Sequence, residues 1–257
     1  MEKTGVGRPA VFPGGCWEPL GGGIGVELSG DCRFGADALL LARFSCPLSS
    51  RTAEEKNDTG TFRRPERWAV DLGTGCGILP LLWCRENPDV RVEALEIQPE
   101  AAEMARRSVE RSGLSGRIRV QTGDLRRWRE WLEPGSMDLA AMNPPYFRAG
   151  SGGASLSRAA RISRHEEPSP QRPGCTLADA AEAAAGLLRP GGRFCLCHRP
   201  ERLADVLAAL RAAGLEPKRL RFVQAGAESA PWLLLCEGRK GGRPGLTVEP
   251  PLVENRQ

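Results

Sequence analysis

The chain has 257 residues, 40% of them hydrophobic and 26% charged, with a formal charge of +4 and a mean hydropathy of −0.34. That size suits one large α/β unit with a sizeable core, and the balance excludes a chain dominated by disorder or a fibrous repeat. No apolar run approaches the roughly 18 to 20 residues that cross a bilayer, and residues 1–16 carry Gly and Pro where a signal peptide needs an apolar stretch, so a cytoplasmic protein away from membranes is expected.

Ahead of Trp68, Val26 to Leu28 reads as a short strand, Ala36 to Phe44 as a short helix, and Ser49 to Arg67 as a polar connection. From Trp68 onward, strand-like runs alternate with helical patterns, the rhythm of βαβ units on a parallel sheet covered on both faces. The expected strands are Trp68 to Leu72, Val90 to Glu96, Ile118 to Thr122, Asp138 to Met142, Arg193 to His198, Lys218 to Gln224 and Trp232 to Glu237. Helices are expected at Gly77 to Glu86, Pro99 to Ser112, Leu177 to Leu188 and Glu201 to Ala213. In the second, Ala101, Ala105, Ser108 and Val109 share a face and Gly113 is a stop signal. The last two strands are joined too closely for a crossover helix, so they should pair antiparallel at one edge. The fold class that follows is α/β: a Rossmann-like, seven-stranded, doubly wound sheet, mostly parallel, with an antiparallel last strand. Arg148 to Cys175 is a long Gly, Ser and Pro-rich loop with several arginines, and the tail after Gly238 looks extended.

The nine cysteines are an odd, scattered set, which fits buried thiols in a reducing compartment better than a disulfide framework. Cys195 and Cys197 stand two apart in a strand and are read as buried thiols, not a metal pair. Among the 36 basic residues, arginine far outnumbers lysine. Arginine suits bidentate phosphate contacts, although a bias this general also fits genomic base composition. The mild positive charge permits an anionic partner without requiring one.

Val70-Asp71-Leu72-Gly73-Thr74-Gly75-Cys76-Gly77 joins the first parallel strand to its helix. Glycines there let the backbone turn sharply and approach a ligand, and the acid ahead of them suits an ammonium better than a pyrophosphate. S-adenosylmethionine carries such an ammonium. Glu96, followed by Ile97, ends the second strand, where a carboxylate can accept from both ribose hydroxyls. Asp124, followed by Leu125, can accept from an adenine amine, or serve only as a helix N-cap. Asn143-Pro144-Pro145-Tyr146-Phe147 follows the fourth strand. An amine conjugated to a ring or carbonyl has a delocalised lone pair; the Asn143 oxygen and the Pro144 carbonyl can each accept from it and aim that pair at an electrophile. The prolines stiffen the turn, and Tyr146 can stack on a planar target. No separate base is needed, and His165 reads equally well as a solvated loop residue.

These motifs resemble class I S-adenosylmethionine-dependent methyltransferases. In such enzymes the counterparts of Asp71, Gly73, Thr74, Gly75 and Gly77 surround the methionine part, those of Glu96 and Ile97 the ribose, and those of Asp124 and Leu125 the adenine. Asn-Pro-Pro-Tyr resembles the signature of enzymes methylating adenine, cytosine or glutamine amide. Phe34-Gly35-Ala36-Asp37-Ala38-Leu39-Leu40-Leu41-Ala42, Arg164-His165-Glu166, His198-Arg199-Pro200-Glu201-Arg202-Leu203, Pro217-Lys218-Arg219 and Gly241-Gly242-Arg243-Pro244-Gly245 look like the bacterial family that methylates adenine N6 in valine tRNA beside the anticodon.

The resemblance implies catalytic roles for Asn143, Pro144, Pro145 and Tyr146, with Asn143, Phe34 and Asp37 against the methionine end of the cofactor. Tyr146, Phe147, Arg148 and Arg164 would bind an anticodon stem-loop, and if RNA is the substrate Arg148, Arg158, Arg161 and Arg164 would meet its phosphates. It implies S-adenosylmethionine as cofactor, no metal, and a monomer. It divides the chain into an N-terminal extension (1–66) packing on the cofactor site, a methyltransferase domain (67–237) and an extended tail (238–257). The rivals are a release-factor glutamine methyltransferase, disfavoured because residues 1–66 hold one plausible helix where such enzymes have a helical domain; a non-catalytic RNA-binding module; and a DNA methyltransferase.

Overall fold

The computed structural model describes residues 15–30, 32–47, 67–144 and 174–254. Two strands, β1 (Cys16–Gly21) and β2 (Ile24–Leu28), form an antiparallel hairpin ahead of α1 (Ala36–Phe44). Then follow β3 (Trp68–Leu72), α2 (Ile78–Glu86), β4 (Arg91–Glu96), α3 (Pro99–Arg111) and β5 (Ile118–Thr122). A 3-10 helix at Leu125–Glu130 leads into β6 (Met137–Met142), α4 (Leu177–Leu187) and β7 (Leu188–His198). The chain closes with α5 (Leu203–Ala212), β8 (Leu215–Gln224), β9 (Pro231–Lys240) and two short tail strands, β10 (Thr247–Val248) and β11 (Leu252–Val253).

The main sheet runs β10-β8-β9-β7-β6-β3-β4-β5, with β11 also on β8. Strands β7-β6-β3-β4-β5 are parallel, whereas β9 is antiparallel to both β7 and β8. The seven-stranded sheet with its reversed last strand is as expected. In the tail, two short extended strands add parallel pairings to β8. From β3 the chain moves to β4 and β5 on one side, then crosses back to β6 on the other, so the winding switches direction between β3 and β6. Ligands of doubly wound sheets bind outside the carboxyl ends of the strands at such a point.

Alternation along the buried strands sorts side chains into two layers. Ala69, Leu139, Ala141, Cys195, Cys197, Leu233 and Leu235 pack with α1 and α2 on one face. Val70, Leu72, Ala140, Met142, Phe194, Leu196, Leu234 and Cys236 pack with α4, α5 and the 3-10 helix on the other. All nine cysteines are free thiols, and Cys195 and Cys197 are fully buried, in agreement with the reading as core residues. No helix among the described residues is long and apolar enough to cross a membrane.

Two polar attachments fix the N-terminal elements. Arg107 of α3 grips both oxygens of Glu27 with a two-pronged contact of 2.9 and 2.8 Å, and Ser108 accepts from the Glu27 N–H at 2.9 Å. At the end of α1, Arg193 donates from Nη2 to the carbonyls of Ser45 (3.0 Å) and Cys46 (2.8 Å) and from Nη1 to buried Glu237 (3.3 Å). Burial works to raise the Glu237 pKa, but Arg193 and Arg219 outweigh it and hold that carboxyl below its ordinary range. The helix carrying Asp37 is therefore bolted to β7 and β9.

Candidate active site

The glycine turn leaves β3 at its carboxyl end. Gly73, Gly75 and Gly77 all have left-handed backbones, with φ of 77°, 56° and 86°. A Cβ on Gly77 would sit 3.2 Å from Ala105 Cβ, so this glycine lets the turn at the start of α2 approach α3 closely. A Cβ on Gly75 would meet nothing within 4 Å; that glycine turns toward open space, where a ligand can approach the backbone.

Glu96 ties this turn to the next strand. Its Oε2 accepts from the Gly75 N–H at 2.8 Å and its Oε1 from the Gln98 N–H at 2.9 Å. Gly73 and Thr74 add N–H bonds to the Leu95 carbonyl at 2.8 and 3.0 Å. Glu96 is 4% exposed; burial raises its pKa, against which the N–H groups of Gln98, Gly75 and Ile97 stabilise the charge. A carboxylate has about four acceptor sites, so a ribose hydroxyl can join these bonds without breaking them.

Asp71 lies beneath the turn, 2% exposed, with Oδ2 accepting from Thr74 Oγ1 at 2.6 Å. Burial pushes its pKa up to about 7, the Thr74 hydroxyl draws it back, and the nearby Glu96 charge raises it further. A carboxyl held so high is one an added cation would readily ionise. Asp124 does the N-cap work: it accepts from the Arg126 N–H at 3.0 Å and pairs with the Arg126 guanidinium. Burial opposes its ionisation, but Arg126 prevails and the pKa falls below the ordinary value. Leu125 beside it is buried against the second core layer.

Asn143 stands just past β6, next to β3 across the switch point. Its Nδ2 donates to Asp37 Oδ2 at 3.1 Å, and its Oδ1 accepts from the Cys197 thiol at 3.1 Å. Asp37 also accepts from the Ala38 N–H with Oδ1 at 2.9 Å, and a Cβ on Gly35 would come within 2.6 Å of that oxygen. Gly35 is thus what leaves room for the carboxylate to fold back and still face Asn143. Phe34 is half-buried against the first core layer, and Pro144 is buried.

The parallel ends of β6, β3, β4 and β5 therefore bring Asn143, the glycine turn, Glu96 and Asp124 along one edge of the sheet, with Asp37 arriving from α1. Pro145, Tyr146, Phe147, Arg148, Arg158, Arg161, Arg164 and His165 lie outside the described residues, as do most of the Ser49 to Arg67 and Arg148 to Cys175 stretches. Sequence reasoning did not single out Cys197 as a neighbour of the site. Its one available signal was its place at the end of the strand beside β6.

A structure from Agrobacterium tumefaciens, described as a predicted O-methyltransferase, superposes with a TM-score of 0.59, covering 84% of this chain and 86% of that one at 22% identity. A geranyl diphosphate methyltransferase bound to sinefungin superposes with a TM-score of 0.54 over 80% and 78% of the two chains at 13% identity. The chain has the class I methyltransferase fold. Residues 59–163 match the model of the methyltransferase small domain family. Among curated proteins, the chain resembles the tRNA1(Val) (adenine(37)-N6)-methyltransferases of Porphyromonas gingivalis, at 32% identity over 66% of this chain and 64% of that one, and of Tolumonas auensis, at 32% identity over 65% of each. It also matches a Streptomyces pristinaespiralis 4-amino-L-phenylalanine/4-methylamino-L-phenylalanine methyltransferase, at 34% identity over 56% of this chain and 48% of that one. The match thus spans just under two thirds of the tRNA-modifying relatives' length.

Proposed function

We propose that this chain is an S-adenosylmethionine-dependent methyltransferase acting on the exocyclic N6 amine of an adenine in tRNA, beside the anticodon of a valine tRNA. The observation that supports it most is the Asn143 carboxamide, held at both ends beside a glycine turn with the class I geometry. The residues fit the cofactor. Gly75 offers open space to a ligand, the Asp71 carboxyl can ionise against an ammonium, and Glu96 keeps acceptor capacity for a ribose hydroxyl.

When bound, S-adenosylmethionine supplies a methyl carbon on a positively charged sulfur, which passes to the nitrogen as the C–S bond breaks. The chain's part is to prepare that nitrogen. Asn143 Oδ1 and the Pro144 carbonyl accept from the amine and draw its lone pair out of conjugation, an arrangement whose benefit grows toward the transition state. Once methylated, the nitrogen carries an acidic proton that water removes, so no strong base is required. Tyr146 would stack on the flipped base, a contact worth about 1–3 kcal/mol per base, with Phe147 beside it in the substrate site. An anticodon loop presents unpaired bases, which makes such extrusion inexpensive. Arg148 and Arg164 would hold phosphates, making affinity fall with salt.

The decisive experiment incubates the purified chain with labelled S-adenosylmethionine and, in separate reactions, unmodified valine tRNA transcript, a release factor and 4-aminophenylalanine. Methylation of the tRNA alone, with N6-methyladenosine found on nuclease digestion, is expected. Label on the release factor would favour the glutamine-amide reading, label on the free amino acid a small aromatic amine. Absence of both turnover and cofactor-binding heat would favour a non-catalytic module.

A further inference from the structure

Cys197 lies at the carboxyl end of β7, fully buried, with its Sγ 3.1 Å from Asn143 Oδ1. We propose that Cys197 is a positioning residue which, with Asp37, holds the Asn143 carboxamide in the one orientation that offers oxygen to the target amine; this rests on the methyl-transfer reading above. A carboxamide has two nearly isosteric orientations, one presenting an acceptor and the other donors. If the group turned over, its NH2 would face an incoming amine donor to donor.

Two contacts oppose that inversion. A carboxylate only accepts, so Asp37 demands Nδ2 on its side, while the thiol donates to Oδ1 at the other end. A carbonyl-type oxygen has two lone pairs, so accepting from the thiol does not by itself saturate it. The thiol is a weak donor; Cys197 is fully buried and Asn143 half-buried, so the contact is partly shielded from competing water. Three separate elements take part, α1, the end of β6 and β7. Their spacing is fixed by a second link between the first and last of them, since Arg193 on β7 grips the Ser45 and Cys46 carbonyls at the end of α1. By comparison, Cys84 Sγ stands 3.9 Å from the Val90 carbonyl.

The test compares Cys197→Val, which removes the donor at similar size, Cys197→Ala as a second donor-free variant, and Cys197→Ser, which restores a donor. The first readout is the Asn143 side-chain NH2 in a nitrogen-proton spectrum, assigned by its disappearance in Asn143→Ala. One sharp pair is expected in the wild type and Cys197→Ser, and doubled or broadened signals in Cys197→Val and Cys197→Ala. The second readout is turnover with tRNA transcript beside calorimetric S-adenosylhomocysteine affinity. The donor-free variants should lose about tenfold in kcat, in line with the sensitivity of reaction rates to small misplacements, with unchanged affinity and recovery of most turnover in Cys197→Ser. An unchanged Asn143 signal in both donor-free variants, or equal turnover in Cys197→Ser and Cys197→Val, overturns the proposal. A wild-type protein inactive on tRNA whose Asn143 signals still double in Cys197→Val would sink the substrate reading and support the positioning role.

Discussion

Glu96 accepts the Gly75 N–H at 2.8 Å, joining two residues 21 apart in sequence and fixing the glycine turn to the end of the neighbouring strand. The same carboxylate is thereby a structural brace and the candidate ribose ligand. Glu96→Ala leaves the Gly75 and Gln98 N–H groups without this partner, and should cost about 1–3 kcal/mol in urea unfolding together with a marked loss of cofactor affinity. Glu96→Gln keeps an acceptor for one of them and should fall between. An unchanged dissociation constant in Glu96→Ala would remove the residue from the cofactor site.

Asn143→Ala should lower kcat by about 10² to 10³ while cofactor affinity stays near wild type, because the lost acceptor acts mainly in the transition state. Single-turnover methylation alongside calorimetry separates these quantities. Normal turnover would refute the assignment.

Asp71 makes two pH-dependent effects testable. In the unliganded protein its pKa of about 7 lies above the unfolded value, so folding favours the protonated form. Its contribution to stability is fully present at low pH and falls as pH rises from about 4 toward 7. Asp71→Asn should flatten that part of the stability profile. With cofactor present the sign reverses for binding: an ammonium requires the ionised carboxyl, so affinity should rise with pH up to about 7, with proton release on binding at about pH 6.5. Calorimetry in two buffers of unlike ionisation heat measures the release. Equal heats would separate Asp71 from the ammonium.

Gly35→Ala tests the placement of Asp37. The backbone there has a φ of −110°, open to any residue, but the new Cβ would crowd Asp37 Oδ1 at 2.6 Å. Because the obstructed atom ends a side chain that can swing away, thermal stability should change by about 1 kcal/mol or less. Turnover should suffer more than stability, since Asp37 would leave Nδ2 of Asn143.

Most of the sheet was readable from residue order. Trp68–Leu72 and Ile118–Thr122 match their expected limits, because each is a short run with β-branched or apolar residues bounded by polar or turn residues. Strand β1 was not legible since Glu18, Pro19 and Gly21 lack strand character; a two-stranded hairpin tolerates them where a central strand would not. β7 begins earlier than expected because the Pro190-Gly191-Gly192 stretch reads as a turn, and the pairing with β6 absorbs it as a register shift. At the site, Asp71, Glu96, Asp124 and Asn143 were visible because each lies at or just past the carboxyl end of a strand. The Asp37 and Cys197 contacts were not, since they join residues 106 and 54 positions from Asn143, and only the folded topology sets those distances.

The tail strands carry a consequence for handling the protein. β8 is ten residues long, bonded to β9 on one flank, and met on the other by Thr247–Val248 and Leu252–Val253, with Glu249 and Glu254 donating N–H bonds to Leu220 and Gln224. Without that strip, a row of main-chain donors and acceptors would be left to recruit a neighbouring molecule. Trimming after Lys240 should therefore produce concentration-dependent self-association, visible by light scattering, before any loss of helical signal.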